Sequence, residues 1–283
     1  MSSGLVPVLA LAERVGLGSL AEERLTVRSD KGAHAGEKVS ALVAGMVAGA
    51  DSIEDMNLLR HGGMSRLFTG RYAPSTLGSF LRGFAFGHVR QLDAVAAGLI
   101  TNLAACTPLL RGADQVAYLD VDDTIRATYG YAKQGAGYGY SGVKGLNALV
   151  AAVSTPAAAP VIVATRLRKG SANSARGAQR LVADAFKTSR ACGASGLLVV
   201  RADSAFYGHD TIAAIRRAKA RFSITARQDV AVKRAIAAIA DDAWTRSTTR
   251  TPSTTSSWAS GSATPRSPRC RSPRSPPAAR STP

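Results

Sequence analysis

Acidic residues are scarce in this 283-residue chain: 19 Asp+Glu stand against 36 Lys+Arg, a net charge of +17. That imbalance argues against a cationic partner and favours a polyanion, nucleic acid being the usual one. Cysteine is scarcer still. Cys106, Cys192 and Cys270 are widely spaced and odd in number, which excludes a disulfide framework and a cysteine-based zinc site and reads as a reducing compartment. Long apolar runs are also missing. The nearest, Leu146–Ala164, is interrupted by Asn147, Pro156 and Pro160, so no membrane span is expected. The N-terminus has no basic stretch, and apolar Leu5–Ala12 is broken by Glu13 and Arg14, unlike a signal peptide. What is present is ample apolar material, 46% of residues, enough for a packed core.

The charge is uneven. Residues 246–283 hold seven Arg and no acid or Lys, which leaves +10 of the +17 on residues 1–245. Of those 38 tail residues 31 are Ser, Thr, Pro or Arg, too little apolar surface to offset chain entropy, so the tail reads as disordered. A basic arm for DNA is one reading of it, and a segment without a selected role is another. A third is a frameshift near Thr245. Acid-free Ser/Thr/Pro/Arg text is what a GC-rich gene yields out of frame, and a neighbouring frame can spell a strand-like stretch with acids.

The N-terminal third reads helical. Val39, Leu42, Val43, Met46 and Val47 share one helical face. Ser52 and Asp55 have capping-box spacing, and His61-Gly62-Gly63 ends that element. Pro74-Ser75-Thr76 opens a helix with Leu77, Phe80, Leu81 and Phe84 inward. A longer helix uses Phe86, Val89, Leu92, Val95, Leu99, Ile100 and Leu103. These short helices fit either a helix-turn-helix DNA reader or a bundle that only packs.

From Gln115 the pattern changes. Val116–Val121, Leu146–Val153 and Val161–Thr165 read as strands. A helix follows over Ser174–Arg190, then a strand over Leu197–Val200. Thr211–Ala218 is expected helical, Arg221–Thr225 a strand and Val230–Ile239 helical. Three close strands form an antiparallel meander, and the later ones, separated by helices, add in parallel. The expected class is α/β: a ribonuclease H-like mixed sheet at 113–245, preceded by a helical, DNA-binding region at 1–112 and followed by the disordered tail at 246–283.

Acids gather at two strand ends. Asp120, Asp122 and Asp123 lie in Leu119-Asp-Val-Asp-Asp-Thr-Ile125, and Asp203 in Arg201-Ala-Asp-Ser-Ala-Phe-Tyr207. An isolated Asp at a strand end is usually a turn former or cap. Three within four residues on an apolar strand are harder to dismiss. Alternation puts Asp120 and Asp122 on one face and Asp123 on the other. In a ribonuclease H-like sheet Asp122 and Asp203 sit side by side, two hard oxygen donors suited to Mg²⁺ or Mn²⁺ and to phosphodiester chemistry. His34, His61 and His88 show no metal-ligand spacing.

Those two acid segments, with the unusual stretch Tyr129-Gly-Tyr-Ala-Lys-Gln-Gly-Ala-Gly-Tyr-Gly-Tyr-Ser-Gly-Val-Lys-Gly-Leu-Asn-Ala-Leu149, resemble DDE transposases of bacterial insertion sequences, specifically the 1380 family, over residues 5–245. The resemblance implies a ribonuclease H-like core, a two-metal Mg²⁺ or Mn²⁺ site and cut-and-paste transfer of an element. Its partners would be terminal inverted repeats and target DNA, with a homodimer in a synaptic complex. It implies a bacterial, cytoplasmic, nucleoid-associated protein with no membrane partner. Carried onto this sequence, the first acid is Asp122, followed by Thr124, with Asp123 as fallback and Asp120 as a flanking candidate. The second is Asp203. The family's third acid, a Glu on a late helix, has no counterpart, because no Asp or Glu follows Asp242. A truncated or frameshifted transposase with little or no strand transfer is therefore expected.

Lys133, Tyr138, Tyr140 and Lys144 of the Tyr/Gly stretch are candidates to hold phosphate and stack on bases or sugars. Arg166, Arg168 and Lys169, after the third strand, are candidates for backbone phosphates, and Arg201 for steering one. Two rivals stand beside this reading. One is a non-catalytic DNA-binding remnant recognising inverted repeats. The other is a haloacid dehalogenase-type phosphatase with Asp120 as nucleophile and Asp122 as acid/base.

Overall fold

The computed structural model describes residues 4–27, 33–61, 64, 72–129 and 133–243. Gly62-Gly63, Tyr131, Cys270 and the tail 246–283 lie outside the described residues. The chain divides into two units, Met1–Lys233 and Arg234–Pro283. Of the second, the described residues contribute the end of one helix and a 3-10 turn at Asp241–Ala243.

The N-terminal region is helical. It comprises α1 (Leu5–Arg14), α2 (Leu17–Arg24), α3 (Ala35–Val47), a 3-10 helix (Glu54–Arg60), α4 (Pro74–Arg82) and α5 (Phe86–Cys106). Pro74 sits in the first turn of α4, where its missing N–H has no helical partner to lose. Ser52 and Asp55 bond reciprocally: Ser52 N–H donates to Asp55 Oδ2 at 2.9 Å, and Asp55 N–H to Ser52 Oγ at 3.3 Å. Ser52 Oγ also donates to Asp55 Oδ2 at 2.7 Å, and this hydrogen bond, followed by that from the Ser52 N–H, holds the Asp55 carboxyl below its ordinary pKa. Leu17, Leu20, Leu42, Met56, Leu77 and Phe80 form the core here.

The inward face of α3 differs from its sequence pattern. Val39 and Leu42 are buried, but Met46 and Val47 are 63% and 48% exposed. The packed stripe runs instead through Ala35, Lys38, Val39, Leu42 and Gly45. Small residues set it: a Cβ on Gly36 would strike the Gly18 carbonyl of α2. Lys38 is buried on this stripe, its ammonium donating to the Ala33 carbonyl at 2.5 Å and lying 5.4 Å from the Phe80 ring. Leu81 and Phe86, expected inward, are exposed as well.

The sheet comprises β1 (Val116–Ala127), β2 (Gly137–Tyr138), β3 (Lys144–Thr155), β4 (Ala158–Lys169), β5 (Leu197–Ala202) and β6 (Arg221–Ile224). Its helices are α6 (Ala178–Ala191), α7 (His209–Arg217) and α8 (Val230–Ala237). The order across the long strands is β4-β3-β1-β5-β6. β3 is antiparallel to β1 and β4, whereas β5 and β6 add in parallel. This is the ribonuclease H-like arrangement expected from the element order. β2 pairs with β3 at Gly137–Gly145, just past the end of β4. A Cβ on Gly170 would run into the Gly137 and Gly145 carbonyls there, so only glycine lets these backbones meet.

Alternation sorts the strands into two faces. Leu119, Val121, Leu149, Ala151, Val153, Leu198 and Val200 are buried with Leu181, Val182 and Phe186 of α6 and Ile215 of α7. On the opposite face Asp122, Thr124 and Arg201 are exposed and Tyr118, Asp120, Val150 and Val199 half-buried. α6 starts at Ala178 rather than Ser174, because the preceding turn gives its carbonyls to another partner, described below.

Candidate active site

Strand pairing decides which acids meet. β1 and β5 run parallel with Asp120 opposite Arg201 and Val121 opposite Ala202. The next residues are Asp122 and Asp203. Asp203 keeps extended backbone (φ −79, ψ −178), so the alternation continues through it. Asp120, Asp122 and Asp203 therefore share the open face. Neighbouring strands are about 4.8 Å apart, which sets Asp122 and Asp203 side by side. Asp203 also caps the 3-10 turn Ser204–Phe206, accepting the Ala205 N–H at 2.9 Å. Asp122 accepts the Asp123 N–H at 2.8 Å.

Asp123 points the other way. Its Oδ2 accepts from Asn147 Nδ2 at 2.8 Å, Ser174 Oγ at 3.0 Å and Arg168 Nη2 at 3.1 Å. The Arg168 side chain is only 7% exposed. It also donates to Asn147 Oδ1 and to the carbonyls of Asn173, Ser174 and Arg176. Burial, partly offset by Asp123, lowers the Arg168 pKa from its ordinary value, and the neighbouring Arg176 and Arg166 charges push the same way. The fallback acid and one expected phosphate contact are thus tied to each other inside the fold. Asn147 and Ser174 were not singled out from the sequence. The readable signal was Asn147 itself, a polar residue at an inward position of an otherwise apolar strand.

Arg166 is also engaged, its guanidinium 3.2 Å from Asp184 of α6. Arg90 of α5 reaches the same carboxylate at 3.0 Å, and Thr165 of β4 donates to Asp93 at 2.9 Å. This polar bridge joins the helical region to the sheet. Burial, its largest cause, raises the Asp93 pKa above the usual carboxylate range, against the Thr165 hydrogen bond and the Arg90 charge. Arg201 makes a two-point pair with Asp120 at 2.6 Å for each contact and stacks on Tyr118 at 4.6 Å. The Asp120 hydrogen bond raises the Arg201 pKa. Lys133, Tyr138, Tyr140 and Lys169 are exposed, and Lys144 is half-buried where β3 meets β2. The site candidates thus separate into residues open to solvent and residues already held by the protein.

Asp122 and Asp203 offer hard oxygen donors for one divalent cation. Among the described residues no group of three or more His, Cys, Asp or Glu is placed to hold a metal ion, so the donor set falls short of a two-ion site. The phosphatase alternative does not survive the sheet. That fold needs parallel neighbours on both sides of the nucleophile strand, yet β1 pairs antiparallel with β3 from Tyr118 to Ala127. The nucleophile of that reading, Asp120, is paired with Arg201. Among the described residues no helix is long and apolar enough to cross a membrane.

A solved structure, the crystal structure of the Mos1 strand transfer complex, is similar at 12% identity and a TM-score of 0.23. The similarity covers 67% of this chain and 58% of that one. No curated protein matches. The family model described as transposase DDE domain group 1 matches residues 2–265, a span that includes β1, β5 and their acids and continues past Thr245. With nearly the whole chain matched, this protein belongs to the DDE transposase domain group 1 family.

Proposed function

We propose that this chain is a bacterial insertion-sequence transposase of the 1380 family, with Asp122 and Asp203 as ligands for Mg²⁺ or Mn²⁺. The observation that supports this most directly is the β1–β5 register, whose last pair, Val121 opposite Ala202, directly precedes Asp122 and Asp203. Family membership implies dependence on a divalent metal. When bound, such an ion activates water or a 3′-hydroxyl and stabilises the leaving oxygen of a phosphodiester. The chain's own residues bind and orient DNA. Lys133, Tyr138, Tyr140, Lys144 and Lys169 supply phosphate contacts and stacking surfaces beside β2 and β3. Asp120 holds Arg201 near the acids, where it steers a phosphate. Asp123 acts as a positioning residue, bracing β1 from behind.

Residues 1–112 form the DNA-binding region in this reading and 113–245 the core, with 246–283 the product of a frameshift near Thr245. Sequencing the gene past Thr245 tests the last point: a neighbouring frame closed at once by stop codons overturns it. DNA is engaged as inverted-repeat ends at the bacterial nucleoid, by a homodimer. A second reading, a binder without strand transfer, is favoured by the shortage of acids. Asp120 is occupied by Arg201, and among the described residues no group of three acids is placed to hold a metal ion.

A mobility shift with inverted-repeat DNA, with and without Mg²⁺, and a nicking assay on the same DNA test both readings. The expected result is a Mg²⁺-independent shift, weak nicking abolished by Asp203→Ala, and no strand transfer. Nicking that survives Asp203→Ala overturns the acid assignment. Absence of a shift at low salt overturns the DNA reading.

A further inference from the structure

A cavity of about 740 Å³ opens where the start of α5 faces β4 and the start of α6. Asp122 and Asp203 are not among the residues that line it. Its lining has two kinds of side chain. Phe84, Phe86, Val89 and Leu167 supply an apolar wall, and Lys169, Arg176 and Arg180 supply cations. No acid lines it.

Three observations mark it as a site for an anionic ligand with an aromatic part. First, among the described residues none of Lys169, Arg176 and Arg180 has a carboxylate partner within salt-bridge distance, unlike Arg166 and Arg168. Second, Arg166, which also lines the cavity, keeps a buried Nε–H with no acceptor. A buried donor without a partner is costly, and a phosphate oxygen would satisfy it. Third, Phe86 opens α5 with 68% of its surface exposed beside these cations, although so large an aromatic is ordinarily covered. The exposed side chains of Arg176 and Arg180 complete a cradle whose like charges repel until an anion arrives.

We propose that this cavity receives an unpaired nucleotide of a DNA strand, its phosphate on Arg176, Arg180 and Lys169 and its base against Phe86. A cavity of this volume is in the range of small-ligand sites. A base-paired duplex offers phosphates to the cations, but its stacked bases never reach the apolar wall. A nucleotide turned out of the duplex, or in a single strand, fills both parts. The site lies between the helical region and the sheet, so occupancy would clamp the two around a strand. The inference rests on the transposase reading for its choice of DNA, but it makes no use of the metal-binding acids.

The test uses the full chain in EDTA and fluorescence anisotropy with two probes, a labelled single-stranded oligonucleotide and its duplex. Arg176→Ala combined with Arg180→Ala should weaken single-strand binding at least tenfold and flatten its salt dependence. Phe86→Ala should weaken single-strand binding by about five- to tenfold, the lower range for loss of one base stack, and leave the duplex within twofold. Equal losses on both probes from Phe86→Ala, or no loss on the single strand from either variant, would overturn the proposal. Asp203→Ala should bind both probes as the parent does. A failure of nicking with intact single-strand binding therefore tells against the acid assignment and not against this cavity. Unchanged thermal unfolding of the Arg176/Arg180 and Phe86 variants, all altered at exposed positions, separates lost binding from lost folding.

Discussion

The two faces of the sheet treat neighbouring acids in opposite ways. On the closed face Asp123 is held by Asn147, Ser174 and Arg168, and the helices α6 and α7 exclude water around the apolar residues beside it. On the open face Asp122 and Asp203 bond, among the described residues, only to backbone N–H groups one or two residues away, and Asp120 faces solvent with Arg201. One step along β1 thus separates a carboxylate used to hold the fold from a carboxylate left available. Three donors converge on Asp123 Oδ2, so that oxygen has no lone pair to spare for an ion or a substrate. Availability, more than proximity to the motif, distinguishes Asp122 from Asp123.

Substitutions can break that contrast. The largest effect is expected for Arg168→Ala, which leaves the half-buried Asp123 with its main charge partner removed and three turn carbonyls unserved. Loss of a buried pair's partner costs about 3 kcal/mol or more, read as a drop in unfolding free energy in urea. Asp123→Asn keeps an acceptor for Asn147 and Ser174 but strands the Arg168 charge, so a loss of about 2 kcal/mol is expected. Asp120→Asn on the open face should cost under about 1 kcal/mol, as exposed ion pairs do. Asp122→Asn should change stability least, by about 0.5 kcal/mol or less, while abolishing Mn²⁺ binding in a titration calorimeter. If Asp122→Asn destabilised the protein as much as Asp123→Asn, the two faces would not differ in the way described.

A pH series sharpens the same contrast at the smallest scale. Burial raises the pKa of Asp93, the acid that α5 presents to Thr165 of β4. The folded state then binds its proton more tightly than the unfolded state does. Stability from this group is therefore greatest at low pH and declines as pH rises from the ordinary carboxylate range through the raised value. Asp93→Asn lacks this dependence. The difference in stability between parent and variant should shift in the parent's favour as pH falls towards 4, and a difference that is flat with pH would contradict the burial of Asp93.

Much of the sheet was legible in advance because its strands are apolar, alternate strictly and are punctuated by glycine and proline. β3 and β5 exceed the expected strands by two residues at an end, whereas β1 runs six residues past Val121 to Ala127, so Asp122 and Asp123 lie within the strand and not at its end; the helices between them fall close to where periodicity put them. The helical region was less legible. Helix positions were readable, but the inward face of α3 turned on Gly18, Gly36 and Gly45, whose small size matters only against a neighbour. Met46 and Val47 carry the right hydrophobicity and have no neighbour to bury it. Among the site residues, parity on β1 already separated Asp122 from Asp123. The roles of Arg166 and Arg168 did not show, because a basic residue after a strand looks the same whether it faces solvent or an acid distant in sequence.

The sequence by itself determined the class of fold, the strands that carry the acids, and the side of β1 on which each acid lies. These follow from local rules: two-residue alternation, helical periodicity and turn chemistry need no distant partner. Only the tertiary structure decided that Arg168 belongs to Asp123 and Arg201 to Asp120, and that Phe86 stands exposed beside arginines without a carboxylate partner among the described residues. Each of those depends on strand register or helix docking across tens of residues. Such contacts are set by the packing of the whole unit, and no stretch of sequence carries them alone.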